Sequence, residues 1–291
     1  MTAIATSSAT GRLTRRRLPR GTVLTGSIVV AFVLLAIVGP ILLPYDPVRV
    51  NTSDRLLPPL SHTQDGSLAI FGTDQVGRDL LAQILVGARV SLVVGLATVV
   101  PSLLVGTVIG LVAGYRGGWV DGVMMRLADV QLALPSFLIA ILVASSLGAS
   151  VFNVIITLAV TRWVIFARVV RSSTLSVRDR EYIDAVRLLG ARPLRIMLRH
   201  VLPMTVTPLF VVATVQFGLV VLAEASLSFL GLGTQDSYPS WGLIIAGGRD
   251  HLSTAWWIAT IPGVFLALVV VSLGLLGDQL RDALDPQLKS R

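Results

Sequence analysis

Long apolar blocks separated by short polar stretches dominate the chain, and their lengths set the first expectation. Residues 23–43, 90–114, 127–147, 151–167, 205–222 and 257–276 are each rich in Val, Leu, Ile and Ala. A helix needs about 20 apolar residues to cross a bilayer. The pattern predicts an all-α polytopic membrane protein with six transmembrane helices. It divides into a polar tail (1–22), a first transmembrane helix (23–44), a long extramembrane loop (45–88), a five-helix core (89–277) and a second tail (278–291). Within the loop, Pro58-Pro59 and the SHTQDGS stretch read as irregular structure. The segment from Phe71 to Ser91 reads as an interfacial helix that leads into the second span.

The polar stretches carry the orientation. Arg15, Arg16, Arg17 and Arg20 precede the first span with no acidic residue among them. A basic segment before an apolar one resembles a signal peptide. This block is longer than a typical signal core and offers no small-x-small cleavage site, so it reads as a retained span. Residues 168–203 hold Arg168, Arg171, Arg178, Arg180, Arg187, Arg192, Arg195 and Arg199. By the positive-inside rule both the first tail and this connector lie in the cytosol. Residues 45–88, where Asp46, Asp54, Asp65, Asp74 and Asp79 outnumber the arginines, lie outside. Both termini are then cytosolic.

Composition narrows the chemistry. A mean hydropathy of +0.80 over 291 residues excludes a soluble domain. The net charge of +8 is gathered in loops between spans, which fits membrane orientation better than a nucleic-acid groove. With no Cys, thiolate metal sites and disulfides are excluded. Lys289 is the only lysine, so there is no internal P-loop, whose glycine-rich turn must be followed by Lys. His62, His200 and His251 have no ligand spacing, which argues against a metal site or a membrane-embedded enzyme. An ion channel would need a charged ring or a carbonyl filter, and no such repeat occurs.

Several positions inside the spans invite a role. Gly106, Gly110 and Gly114 recur every fourth residue and permit close helix approach; Pro101 is expected to kink the same helix. Arg162 is expected to snorkel to the headgroups. Glu224 and the deeper Gln216 are candidates for lining a translocation path, because polar groups within spans are costly and often functional, and the alternative for Gln216 is a bond to a neighbouring helix. The alternative for Glu224 is an interfacial carboxylate bonded locally at the outer helix end. Tyr238-Pro239-Ser240-Trp241-Gly242 and Trp256-Trp257 read as an aromatic outer interface.

The stretch Glu181–Pro203, EYIDAVRLLGARPLRIMLRHVLP, is arginine-dense and lies between two spans. It reads as a short helix, a break at Gly190, and a second short helix with Pro193 in its first turn and Pro203 beyond its end. Asp184-Ala185-Val186, three residues to Gly190, then His200-Val201-Leu202-Pro203 resembles the EAA loop of bacterial ABC importer permeases. Asp184, Val186 and His200 depart from that family's Glu, Ala and Ile. His-x-Leu-Pro is similar to the peptide and nickel branch. The FGTDQVGRD, LSFLGLG, PSWG and LLGDQLRDALDP segments resemble the same branch, so the likeness runs from about Phe71 to Pro286.

The resemblance implies a type I ABC importer permease fold, nearest to the oligopeptide permease C subunit, in a bacterial cytoplasmic membrane. It implies a heterodimer with a homologous permease subunit, two ATPase subunits that hold ATP and Mg, and an extracytoplasmic binding protein. Glu181, Asp184, Ala185, Arg187, Gly190, Ala191, Arg192 and Pro193 are then the expected ATPase-coupling residues, with no catalytic, cofactor or metal residue on this chain. The implied substrate is an oligopeptide or dipeptide, with nickel as the alternative.

Overall fold

The computed structural model describes residues 20–43, 46, 50–233 and 238–284. The basic tail at Arg15–Arg17 and the end of the second tail, including Pro286, lie outside the described residues. Ten α-helices carry the described chain: α1 (Arg20–Leu42), α2 (Leu80–Arg116), α3 (Gly118–Ala133), α4 (Ser136–Leu147), α5 (Val151–Arg178), α6 (Glu181–Leu188), α7 (Pro193–Ile196), α8 (Leu202–Phe229), α9 (Trp241–Gly248) and α10 (Trp257–Leu284). A small hairpin pairs β1 (Ser61–His62) with β2 (Leu68–Ala69).

Among the described residues, five segments are long and apolar enough to cross a membrane, and the α3–α4 pair makes a sixth if counted as one span. That pair is bent by 73°, so the straight span expected over 127–147 is broken. Pro135 explains the break. It lacks an N–H to continue the helix and pushes Leu134 into extended backbone.

The helices also outrun their apolar stretches. The first turns of α2 are the helical part of the expected interfacial segment, and α2 then continues unbroken through Pro101 to Arg116. At 1.5 Å per residue it is about 55 Å long, well beyond the hydrocarbon thickness. Its start is set by Asp79, whose carboxylate accepts from the Ala82 N–H at 2.8 Å. Likewise α5 does not end near Ala167 but runs to Arg178, so the first part of the expected connector is helix.

Two cores hold the bundle. The first joins α2, α5 and α8 through Val94, Leu111, Phe166, Val170 and Leu227. The glycine ladder makes its central crossing possible. A Cβ at Gly106 would stand 2.5 Å from the Trp163 carbonyl oxygen, and one at Gly110 would stand 2.5 Å from that of Ala167. The small-residue face of α2 is therefore filled by α5 of the same chain.

The second core joins α1, α2, α9 and α10 around Trp241. Trp241 is fully buried, donates from its indole to the Ile84 carbonyl at 2.9 Å, and stacks at a tilt on Phe32. Trp257 is buried too and donates to the Thr73 carbonyl. Of the expected aromatic interface, Trp256 and Tyr238 are exposed. An indole N–H that finds a carbonyl can be buried, and its ring then contributes a large apolar area to the core.

Thr25 donates to Gln279 at 2.8 Å, which places the starts of α1 and the end of α10 at one end of the bundle. The α6–α7 segment lies at an end where α3 is bound to α5 by a polar ladder. Arg171 makes two bonds to Asp121 (2.5 and 2.6 Å), and Arg168 pairs with Asp129 at 2.6 Å. Gln131 accepts from the Trp163 indole at 2.8 Å and donates to the Val160 carbonyl.

Candidate functional site

The arginine-rich segment folds as its turn chemistry demands. Just beyond α6, Gly190 takes φ +77°, a conformation that side chains with a Cβ disfavour. Its N–H bonds to Arg187 O at 2.9 Å, and the Ala191 N–H reaches back to Val186 O at 3.3 Å. This is a Schellman close, with Ala191 and Val186 packed together against the first core. Arg192 is extended and Pro193 opens α7, where its missing N–H costs nothing.

The second helix does not stop before Pro203. One π turn over Met197–Val201 carries the chain into α8, and Pro203 sits in the first turn of α8. A wider turn suits a residue that cannot donate its backbone hydrogen bond.

Two isoleucines fasten this segment to the bundle. Ile183 on α6 and Ile196 on α7 are fully buried in the first core. The opposite side is apolar as well, and open. Leu188 is 89% exposed, Leu189 87% and Leu194 62%. The sequence reading passed over these three leucines. The signal available was a leucine pair directly before a helix-ending glycine, inside a stretch otherwise crowded with arginine.

The eight expected coupling residues come together here. Glu181, Asp184, Ala185, Arg187, Gly190, Arg192 and Pro193 are exposed, while Ala191 is half-buried. Arg187 binds Asp184 at 2.8 Å and lies over the Tyr115 ring, 5.6 Å from its centroid. The Tyr115 phenol and then the Asp184 carboxylate hold the guanidinium above its ordinary range. The Asp184 pair is exposed and contributes little stability by itself. Its use is geometric: through Tyr115 it ties α6 to the last turn of α2. Arg178, the last residue of α5, fastens that helix to the same end of α2, donating to the Gly114 carbonyl at 2.8 Å.

The two path candidates sit at different depths. Gln216 is buried near the middle of α8, about 20 Å along the axis from either end. Its carbonyl oxygen accepts from Arg162 at 3.0 Å. Arg162 therefore turns to α8, where a polar acceptor is at hand, instead of running along α5 as a snorkelling side chain would. Glu224 is fully buried one turn before Ser228, which donates to it at 2.7 Å. The start of α9 presses on this turn of α8: a Cβ at Gly242 would stand 2.0 Å from the Ala225 carbonyl oxygen. Glu224 thus lies at the α8–α9 contact, with Oε1 bonded to Ser228 of its own helix and Oε2 buried without a hydrogen-bond partner among the described residues.

Residues 106–290 match the family described as binding-protein-dependent transport system inner membrane component. The chain is 42% identical over 259 residues to the di/tripeptide transport system permease protein DppC of Pseudomonas aeruginosa, covering 89% of this chain and 85% of that protein. It is 41% identical over 263 residues to the dipeptide transport system permease protein DppC of Alkalihalophilus pseudofirmus, covering 90% and 84%. It is 38% identical over 268 residues to the glutathione transport system permease protein GsiD of Pectobacterium atrosepticum, covering 92% and 87%. Among solved structures, the fold is similar to a chain of the inward-facing MetNI methionine ABC transporter. The TM-score is 0.56 at 19% identity, covering 69% of this chain and 96% of that one.

Proposed function

The chain belongs to the family of binding-protein-dependent transport system inner membrane components, and from that premise we propose that it imports short peptides as one permease subunit of an ATP-driven transporter. The identity to permeases named for dipeptides, di/tripeptides and glutathione carries the substrate class. Those names favour the short end of the range over long oligopeptides, and they favour peptide over nickel.

ATP and Mg belong, in this reading, to two partner ATPases, and the arginine-rich end faces them in the cytosol together with both termini. A homologous permease subunit completes the path, and a separate binding protein delivers the peptide from outside. The exposed leucines are the observation that supports the coupling role. Leu188, Leu189 and Leu194 are exposed apolar side chains in a short segment that also exposes Arg187, Arg192 and Arg195, the mixture that a docking surface uses.

The mechanics follow from how the patch is mounted. Closure of the ATPases pushes on α6 and α7. Ile183 and Ile196 pass the push to the α2–α5–α8 core, while Tyr115 and Arg178 pass it to the end of α2. The α3–α5 ladder makes α3 move with α5. The Schellman turn at Gly190 keeps α6 and α7 at a fixed angle, so displacement reaches the spans and is not lost in a loop. Gln216, at mid-bundle, is then a residue of the substrate path.

The test is uptake of labelled di-, tri- and pentapeptides, with labelled nickel in parallel, by cells with and without the gene. Loss of di- and tripeptide uptake on deletion is expected. Loss of nickel uptake alone would overturn the substrate while leaving the permease assignment in place.

A further inference from the structure

Arg162 is a positive charge in the middle of the bundle, roughly 16 Å along the axis from Val151 at the start of α5. An arginine at that depth is costly unless its charge and its donors are matched. Here they are not. Among the described residues no carboxylate pairs with it, and its one hydrogen-bond partner is the neutral Gln216. Its Nε is buried without a partner. A guanidinium has five N–H donors in a rigid fork suited to carboxylate, and most of that fork is unused. The other three arginines of α5 contrast with it, since Arg168 and Arg171 each hold an aspartate of α3 and Arg178 pairs with Asp179.

A short peptide carries a carboxylate at its C-terminus whatever its side chains are. Resting on the peptide-import reading, we propose that Arg162, positioned by Gln216, binds the C-terminal carboxylate of the peptide in transit and so selects free-acid peptides at the midpoint of the path. Gln216 fixes one Nη and leaves the remaining donors to a mobile anion. Arg162 would then be matched only while a peptide passes, and the site would release it when the bundle changes shape.

The experiment compares initial uptake of labelled trialanine and labelled trialanine amide by cells carrying the whole transporter, normalised to the amount of the chain in the membrane. The binding protein is the same in every strain, so its own preference cancels when variants are compared. Arg162→Gln is expected to lower the acid-to-amide ratio about tenfold, the loss of one charge-assisted contact. Arg162→Lys should keep most of the ratio. Gln216→Glu supplies a fixed internal carboxylate and should lower the ratio as Arg162→Gln does. An equal fall for acid and amide in both Arg162→Gln and Gln216→Glu, or no change in either peptide, would overturn the proposal and leave Arg162 as a structural link between α5 and α8. Uptake of neither peptide by the unaltered transporter would overturn the peptide reading and this proposal with it.

Discussion

Residues 50–79 and residues 181–196 are both polar, glycine-punctuated segments between long apolar helices, and they are built in opposite ways. The first turns its polar groups inward. Asp74 is buried and accepts from the Val76 and Arg78 N–H groups and from Gln83, and buried Asp54 accepts from Gln64 N–H and Asn51. Thr73 bonds both to Asp54 O and to Leu57 N–H. The second segment instead keeps its charges outside and exposes three leucines. The first segment exposes Val50, Leu60, Leu68 and Ile70 as well, and Gln75 Oε1 is buried without a partner among the described residues, but its two buried aspartates are bonded inside the segment and hold its loops together. The second holds apolar side chains in water, on a rigid mount, and is incomplete until something covers them.

The glycines give the sharpest way to break that comparison. Gly77 and Gly190 have nearly the same backbone, φ +81° and +77°. A Cβ at Gly77 would stand 1.9 Å from the Asn51 carbonyl oxygen, whereas one at Gly190 would meet nothing within 4 Å. Gly77→Ala should cost about 4 kcal/mol, strain plus steric clash, and Gly190→Ala only about 1 kcal/mol of strain. Thermal unfolding of the solubilised protein measures both, and equal losses would erase the distinction between the closed and the open segment.

Gly190→Pro comes next. Proline cannot take the positive φ and removes the N–H that bonds to Arg187, at a cost of about 3 kcal/mol to the turn. The chain should still reach the membrane, while peptide uptake falls and ATP hydrolysis by the partners continues. Unchanged uptake would remove the segment from coupling. Leu188→Asp should weaken ATPase docking by about 2 kcal/mol, the value of one covered leucine. Because Leu188 is open to solvent, unfolding should shift by less than about 0.5 kcal/mol. Copurification with the ATPase, read beside the melting curve, separates these effects. The smallest change is Asp121→Asn, which weakens a partly exposed bridge to Arg171 by about 1 kcal/mol and should loosen α3 without unseating α6. Hydrogen exchange in α3 and in α6 would show whether the two move apart.

Much of this was legible locally. The glycine break, Pro193 at a helix start and the leucine-rich blocks are short-range facts, and the structure keeps all of them. Two misreadings were local, since Pro135 breaks the span expected over 127–147 and Pro203 sits in a helix's first turn; others arose where a residue's fate depended on a distant neighbour. Hydropathy measures how much of a helix can sit in hydrocarbon, so it ended the fourth span near Ala167, although backbone hydrogen bonding carries α5 to Arg178. Trp241 resembled an interface residue until Ile84 O gave its indole a buried acceptor.

The sequence by itself determined that the chain crosses the membrane repeatedly and that a helix pair broken at a glycine joins α5 to α8. Apolar length and turn chemistry act over a few residues, so they can be read without knowing the fold. Only the tertiary structure decided that Arg162 meets Gln216, that the α2 glycines face α5, and that Ile183 and Ile196 are buried while Leu188 and Leu189 are bare. Those outcomes depend on which helix packs beside which, and packing is chosen by the whole set of surfaces at once.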